Sequence, residues 1–281
     1  MKISIITPTN NSEKYIACNI ATVLNQTFDD FEQIIVDNES SDNTLEVASE
    51  LYSKAGKNKS LKIICEPDNG ISDAFNKGIN RAEGDIITFL NSDDEYMQND
   101  VLSTVESVFR DEKIFFSHGN IFFYDPIRGS VTKTPLGTSL TDGMIFYHPS
   151  MFFKKELFKK YGIFDTKYRY AMDFELLCRF LSKDPGFLLK GKYLDKTLTK
   201  MNFGGKSWGN PIETLKETKK ILKSYNMWNL RARRKFLLNK AKTFLIISMV
   251  KYKLGFFLII LRKFKWNYFN RHNLYSNVRI K

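Results

Sequence analysis

The first ninety residues alternate between short apolar runs and longer stretches in which apolar side chains recur every three or four positions. The apolar runs predict four strands, at residues 3–7, 31–36, 61–65 and 86–90. The longer stretches have the spacing of amphipathic helices and predict three of them, at residues 15–25, 44–52 and 71–82. Strands that alternate with helices form a parallel sheet with right-handed crossovers. We therefore predict an α/β fold with a mostly parallel sheet flanked by helices.

The pattern after residue 100 is less regular. It predicts a helix at 102–109, then an antiparallel pair of strands at 115–124 and 130–134, joined through a turn that contains proline. Two further helices are predicted, at 154–161 and 173–181. The chain then becomes helical and basic, which predicts a C-terminal helical extension.

Positive charge is concentrated in that extension. The net charge is +12, and residues 221–281 contain 15 Lys and Arg but no Asp or Glu. Lysines and arginines interrupt its apolar runs, so no run reaches the length of a membrane span. Basic residues among Phe, Trp and Leu are typical of a helix that lies on anionic lipid. Two alternatives are a helical pair packed on the rest of the protein and a nucleic-acid-binding segment, although no recognition motif supports the latter.

Composition indicates that the chain folds and which cellular compartment we expect for it. The 281 residues are 43% hydrophobic and 14% aromatic, which excludes a disordered chain. The three cysteines lie far apart without metal-binding spacing, as expected of thiols in a reducing compartment: Cys18, Cys65 and Cys178. The first nine residues predict a strand, not a signal peptide, so we expect a cytoplasmic protein.

The fourth predicted strand runs directly into adjacent carboxylates. Residues 91–95 read Asn-Ser-Asp-Asp-Glu, and they follow five apolar or β-branched residues. A buried strand that ends in carboxylates places them at the carboxyl edge of the sheet, where open α/β sheets bind ligands. Their oxygens suit Mg²⁺ or Mn²⁺, which commonly bridge carboxylates to a substrate diphosphate. The alternative is a solvated turn.

Polar clusters also follow the first three predicted strands. Thr7-Pro8-Thr9 and Asp37-Asn38 end the first two, where an acidic side chain can bind a ribose hydroxyl. The alternative is that the serines nearby simply cap helices. After the third strand, Asp, Asn and Asn at positions 73, 76 and 80 share one helix face, which indicates either contact with a polar ligand or a solvated surface.

Four of these motifs occur in an order that resembles a known family. They are residues 5–9, 36–44, 69–81 and 89–94. Together they resemble the family 2 glycosyltransferases of the Rossmann-like GT-A fold, over about residues 1–210, and most closely bacterial enzymes of O-antigen and capsule assembly. The resemblance implies a nucleotide-sugar donor and inversion at the anomeric carbon. The resemblance thus covers an expected catalytic domain, 1–210, and the remaining residues, 211–281, form the basic tail whose composition predicts membrane-surface attachment.

The resemblance also assigns roles to individual residues. It places eight residues at the donor: Thr7, Thr9, Asp37, Asn38, Asp73, Asn76, Ser92 and Asp93. Two positions among these motifs depart from the family pattern, because Asn38 and Asn91 stand where the family usually has Asp. The substitution at 91 leaves Asp93 and Asp94 as the expected ligands of Mn²⁺ or Mg²⁺.

The resemblance assigns the catalytic base to Asp173. It begins a predicted helix, although Met172 replaces the acid that many members have before it. A helix N-terminus favours an ionised carboxylate, as a base requires; the alternative is that Asp173 is only an N-cap. Possible acceptor or diphosphate contacts are His148 and the loop residues Gly204, Gly205, Lys206 and Ser207. The alternatives are a packed histidine and a linker.

We therefore expect a metal-dependent inverting glycosyltransferase at the inner face of the cell membrane. Its expected donor is a UDP-hexose, and its expected acceptor is a saccharide on a lipid diphosphate, in surface polysaccharide biosynthesis. Partners are the donor, the lipid-linked acceptor and the anionic membrane surface, with no nucleic acid expected. Alternatives are a nucleotide-sugar-forming nucleotidyltransferase and a non-catalytic membrane-associated scaffold with a degenerate site.

Overall fold

The computed structural model describes residues 1–124, 130–202 and 209–251. Contacts divide the chain into two units, Met1–Ala232 and Arg233–Lys281. The strands are β1 (Ile3–Thr9), β2 (Phe31–Asp37), β3 (Leu61–Cys65), β4 (Ile86–Phe89), β5 (Glu95–Tyr96), β6 (Phe116–Tyr124), β7 (Val131–Lys133), β8 (Met151–Lys154) and β9 (Gly191–Asn202). The helices are α1 (Glu13–Leu24), α2 (Thr44–Lys54), α3 (Ile71–Arg81), α4 (Val101–Phe109), α5 (Glu156–Tyr161), α6 (Met172–Lys183), α7 (Pro211–Ser224) and α8 (Leu230–Lys251).

The first four predicted strands form the parallel part of one sheet. Their order is β3-β2-β1-β4, and each adjacent pair is parallel. In the centre, Ile6 of β1 pairs with Ile34 on one side and Phe89 on the other. Strands buried on both faces need continuous apolar runs, which is why the pattern could be recognised. The predicted α/β fold is confirmed.

The sheet continues with strands of mixed direction. From β4 the order is β8, β6, β9 and β5: β8 is antiparallel to both β4 and β6, and β6 is parallel to β9. The predicted pair at 115–124 and 130–134 corresponds to β6 and β7, which are antiparallel. The sequence analysis did not predict β8 or β9. β8 is only four residues long, and β9 has mixed polarity, so periodicity does not reveal either.

An aromatic core and helix α3 support the carboxyl edge of the sheet. The Phe89 ring lies 4.6 Å from Phe75 of α3 and 5.1 Å from Phe164, between ring centroids. Helix α3 approaches β1 closely at Gly78, where an added Cβ would lie 2.3 Å from Cγ2 of Ile6. Close-packed aromatic rings and this tight helix–strand contact hold the loops above them in place.

Helix α7 belongs to the first unit. Its Ile221 and Leu222 are 0% and 2% exposed and join the same core as helix α6. The sequence analysis began the tail at 211, whereas contacts extend the first unit to Ala232. In helix α8, Leu237, Leu238 and Phe244 are exposed. Over the ranges that the structure describes, none of the helices is long and apolar enough to cross a membrane. The tail predictions for residues 252–281 lie outside the described residues.

Candidate active site at the carboxyl edge of the sheet

A cleft of about 590 Å³ opens at the carboxyl ends of β1 and β4. Its lining includes the loops after these strands, residues 144–149 and the beginning of helix α6. The cleft brings together six of the residues singled out from the sequence: Thr9, Asn38, Ser92, Asp93, His148 and Asp173. It is therefore the place in the first unit where the predicted chemistry converges.

Asp37 organises the loops after β1 and β2 from beneath the cleft. Its buried carboxylate accepts hydrogen bonds from Thr9 Oγ1 at 2.7 Å and from the backbone N–H and hydroxyl of Ser40 at 2.7 and 2.6 Å. Asn38, one residue on, donates its backbone N–H to the carbonyl of Thr9, and its Oδ1 accepts from the N–H of Asp68. Asp37 thus shapes the site, while Thr9 and Asn38 line it.

Like Asp37, three more predicted donor residues lie in the framework around the cleft, outside its described lining. Thr7 accepts a hydrogen bond from Gln33 inside the sheet. The amide of Asn76 bonds both to the carbonyl and to the N–H of Phe164, at 2.9 and 2.8 Å. The carboxylate of Asp73 accepts the N–H of Asn69 at the start of helix α3. Asp73 and Asn76 are thus bonded to backbone groups, whereas Asn80 on the same face is exposed.

The carboxylates after β4 face in different directions. Asp93 lines the cleft, whereas Asp94 is 1% exposed and accepts a hydrogen bond from Asn91 Nδ2 at 2.9 Å. Burial raises the pKa of Asp93. Burial and the neighbouring charge of Asp93 raise the pKa of Asp94 well above its usual range. Adjacent carboxylates that are half-buried and buried favour protonation, and a bound cation would stabilise their ionised forms.

Asn91 offers a second oxygen at this place. Because its Nδ2 donates to Asp94, its Oδ1 faces the other way; that atom is buried and has no hydrogen-bond partner within the described residues. Asn91 also lines the cleft beside Asp93. Amide and carboxylate oxygens are ligands that Mg²⁺ and Mn²⁺ accept. The residues present therefore fit a divalent cation, with Asn91 and Asp93 at the cleft and Asp94 holding Asn91.

That arrangement differs from the expected ligand pair of Asp93 and Asp94. The sequence analysis discounted position 91 because an amide replaces the family's carboxylate, but in the structure Asn91 lines the cleft and its Oδ1 has no hydrogen-bond partner within the described residues. No group of three or more His, Cys, Asp or Glu side chains is arranged to hold a metal within the part of the chain that the structure describes.

Asp173 is placed by the first turn of helix α6. Ala171 occupies the N-cap position, and Asp173 Oδ1 accepts the N–H of Phe174 at 2.8 Å. Burial raises the pKa of Asp173 to about 6, with a smaller contribution from the negative charge of Glu217. A carboxylate with a raised pKa is a stronger base than a solvated one, as general-base catalysis near neutral pH requires.

His148 forms the floor of the cleft. Its ring stacks on Phe89, with 5.0 Å between centroids and 17° between planes. Burial lowers the pKa of His148 to about 4, so the ring is neutral at physiological pH. Its Nε2 is buried, and the described residues supply it with no hydrogen-bond partner. The other expected contacts, Gly204, Gly205, Lys206 and Ser207, lie outside the described residues.

Helix α7 supplies residues to the site that the sequence analysis did not find. Thr214 and Thr218 line the cleft, and Glu217 between them accepts backbone N–H groups from the loop before Asp173. A signal was present in the sequence: α7 carries acidic Glu213 and Glu217, unlike the acid-free segment from 221 to 281. The sequence analysis nevertheless grouped this helix with the basic tail.

Known sequences match much of this chain. The family model "Glycosyl transferase family 2" matches residues 4–172. An uncharacterized glycosyltransferase of Haemophilus influenzae is 36% identical over 124 residues, which cover 44% of this chain and 48% of that protein. A PGL/p-HBAD biosynthesis glycosyltransferase of Mycobacterium bovis is 28% identical over 209 residues, covering 73% of this chain and 78% of the relative. This chain thus spans about half the length of the Haemophilus relative.

Solved structures share the fold. The crystal structure of S. aureus TarS 1-349 in complex with UDP-GlcNAc has a TM-score of 0.64 and 22% identity, covering 84% of this chain and 69% of that chain. The mannosyltransferase PcManGT from Pyrobaculum calidifontis, in complex with GDP-Man and Mn²⁺, has a TM-score of 0.59 and 15% identity, covering 86% and 74%. These neighbours confirm the predicted GT-A architecture. The family model matches more than half of the residues of this chain, so the chain belongs to glycosyl transferase family 2.

Proposed function

We propose that this protein is a metal-dependent inverting glycosyltransferase that uses a nucleotide-sugar donor. One observation carries the proposal: a single cleft has a carboxylate and an amide oxygen suited to a divalent cation, and separately a carboxyl group with a pKa of about 6. A cation held by the carboxylate and the amide would suit a donor diphosphate, and the carboxyl group suits deprotonation of an acceptor hydroxyl.

In the proposed reaction, Asp173 accepts the proton of the acceptor hydroxyl. The hydroxyl oxygen bonds to the anomeric carbon as the bond to the nucleoside diphosphate breaks, which inverts that carbon. Asn91 and Asp93 would hold Mn²⁺ or Mg²⁺, and a cation there supplies stabilisation of the charge on the departing diphosphate. Thr9 and Asn38 line the part of the cleft that we assign to the nucleoside. Neutral His148 excludes water beneath the sugar.

The donor and acceptor classes are part of the same proposal. We infer a UDP-hexose donor, since the TarS neighbour is described with UDP-GlcNAc, while PcManGT with GDP-Man represents the competing base. We infer a lipid-diphosphate-linked saccharide as acceptor, in surface polysaccharide (O-antigen or capsule) assembly at the inner membrane face. The 15 basic and no acidic residues of 221–281 support attachment to anionic lipid.

A donor panel tests the proposal. Binding and slow hydrolysis of UDP-, GDP- and dTDP-sugars are measured with and without Mn²⁺. We expect Mn²⁺-dependent binding of one donor, with release of its nucleoside diphosphate. Release of pyrophosphate in place of a nucleoside diphosphate would instead identify a nucleotidyltransferase. Folded protein that binds no donor under any condition would identify a scaffold.

The metal assignment has its own variant. The proposed metal ligands that line the cleft are Asn91 and Asp93, and Asp93→Asn removes the carboxylate of this pair. We expect it to weaken Mn²⁺-dependent donor binding by on the order of 10- to 100-fold. Asp111→Asn is the matched control, since Asp111 is exposed and its carboxylate accepts the nearby N–H of Lys113. Equal donor affinity in the two variants would contradict the assignment.

A further inference from the structure

The loop that leads into helix α6 is held by one carboxylate from a distant helix. Glu217 Oε1 accepts the backbone N–H of Arg169 at 3.0 Å. Its Oε2 accepts the N–H groups of Tyr170 and Ala171, both at 2.9 Å. Three consecutive N–H groups thus converge on one side chain 46 to 48 residues later in the chain.

These hydrogen bonds act on the wall of the cleft itself. Arg169, Tyr170 and Ala171 all line the cleft, and Asp173 follows two residues later. Hydrogen bonds to a charged acceptor are among the stronger ones in proteins, and losing one such acceptor leaves several donors to find water. Glu217 therefore determines where the backbone before Asp173 lies.

Helix α7, which carries Glu217, is itself anchored to helix α6. Ile221 and Leu222 are buried in the core beside helix α6. One turn later the hydroxyl of Tyr225 donates to Glu175 of α6. Glu175 also pairs with Arg179 at 3.0 Å, and Arg179 donates to two backbone carbonyls at and just after the end of helix α5. Helices α6 and α7 therefore meet along an apolar contact with a polar attachment at each end.

We propose that Glu217 is a positioning residue for the catalytic base: by binding the N–H groups of residues 169–171, it fixes the backbone that presents Asp173 to the acceptor. The inference rests on the proposed function, in which Asp173 takes the acceptor proton. Glu217 lies beyond residues 4–172, the part matched by the family model, so that match does not supply this role.

The negative charge of Glu217 has a second consequence at Asp173. It raises the pKa of Asp173, in addition to the larger effect of burial. The other titratable or charged side chains that line the same cleft are Asp68, Asp93, Tyr147, His148, Arg169 and Tyr170. On helix α6 itself, Glu175 is neutralised by Arg179. Removing the charge of Glu217 while leaving these groups in place therefore lowers the pKa of Asp173.

The test compares Glu217→Gln with Glu213→Gln in the full chain. Glu213 lies one turn earlier on the same helix, is exposed and pairs with Lys216 at 2.6 Å. Glutamine keeps the size of residue 217 but offers one acceptor oxygen in place of two. We expect amide hydrogen exchange at residues 169–171 to be at least about tenfold faster in Glu217→Gln, and unchanged in Glu213→Gln.

Titration and kinetics complete the test. The carboxyl signal of Asp173, assigned in ¹³C NMR with Asp173→Asn, should titrate at lower pH in Glu217→Gln. Donor hydrolysis with Mn²⁺ should lose kcat while the donor KM stays nearly constant, and its acidic limb should move to lower pH. Glu217→Asp, which keeps the charge, should retain the wild-type titration of Asp173. Because its side chain is one methylene shorter, Glu217→Asp should still speed exchange at residues 169–171 and lower kcat, so it serves as the test variant if the glutamine variant does not fold.

The outcomes separate this inference from the proposed function. Unchanged exchange at 169–171 with an unchanged Asp173 titration would overturn the positioning role. So would faster exchange with unaltered kcat, because the loop would then not serve the base. A wild-type protein that releases no nucleoside diphosphate from any donor would overturn the proposed function, while exchange and titration would still report whether Glu217 positions residues 169–173.

Discussion

The two walls of the cleft are built in different ways. The first wall consists of the loops after β1, β2 and β4, and the second consists of residues 144–149, the loop 169–171 and helices α6 and α7. In the first wall, consecutive strands of a parallel sheet bring their ends together. In the second, three segments distant in sequence meet only through tertiary contacts.

The key carboxylates of the two walls differ in the same way. Asp37, beneath the first wall, accepts three hydrogen bonds from Thr9 and Ser40. Asp173, in the second wall, accepts one from Phe174, and burial raises its pKa to about 6. The carboxylate of Asp37 is occupied by these hydrogen bonds, whereas that of Asp173 accepts fewer and keeps capacity to accept a proton.

The largest expected effect comes from removing the proposed catalytic base, Asp173, in the second wall. Asp173→Asn keeps the shape of the side chain but removes the proton acceptor, so we expect kcat for transfer or donor hydrolysis to fall on the order of 10³-fold. Donor affinity, measured by calorimetry with Mn²⁺, should stay close to that of wild type because the first wall is intact. Loss of donor binding with residual turnover would contradict the assignment.

The wild-type pH profile sharpens the same point. Asp173 must be ionised to accept a proton, and its pKa in the fold is about 6. The rate of donor hydrolysis should therefore fall as the pH drops through about 6. Above that pH, the ionisation of Asp173 should cause no further change. An acidic limb centred near pH 4 would place the base elsewhere.

A smaller effect is expected from breaking the first wall. Asp37→Asn replaces an acceptor oxygen with an amide that faces donors of Thr9 and Ser40, which we expect to lower the free energy of unfolding by about 2 kcal/mol. Urea denaturation measures this change, and nucleotide binding should weaken with it as the loops loosen. The exposed Asp30→Asn, next to β2, should stay within about 0.5 kcal/mol of wild type. Equal losses of unfolding free energy in the Asp37 and Asp30 variants would contradict the organising role of Asp37.

The smallest effect concerns a histidine behind the second wall. His118 is 8% exposed, its ring lies 4.4 Å from that of Phe146, and burial lowers its pKa to about 4. Between pH 6.5 and 4 the unfolded chain binds a proton at this position that the folded chain does not. Acidification therefore removes stability that depends on a neutral His118.

His118→Phe abolishes this titration. From pH 7 to pH 5, the wild-type free energy of unfolding should fall by about 1–2 kcal/mol more than that of the variant, measured by urea denaturation at both values. The difference between slopes is the readout, because packing changes from the substitution affect both pH values equally. Parallel pH dependences would show that His118 titrates alike in both states.

Sequence alone determined the parallel part of the sheet and the polar residues at its edge. Buried strands such as β1 and β4 need continuous apolar runs, and parallel strands place whatever follows them at one edge. The positions of Thr9, Asn38 and Asp93 follow from that local pattern, and the place of Asp173 came from the ordered motifs of the family. These inferences need no knowledge of long-range contacts.

Tertiary structure decided the direction of each side chain and the makeup of the second wall. Asp93 and Asp94 are adjacent in sequence, yet one lines the cleft and the other holds Asn91 from behind. Glu217 reaches the loop before Asp173 only because helix α7 packs on helix α6. Periodicity reports which face of an element is buried, but it carries no information about which distant element covers that face.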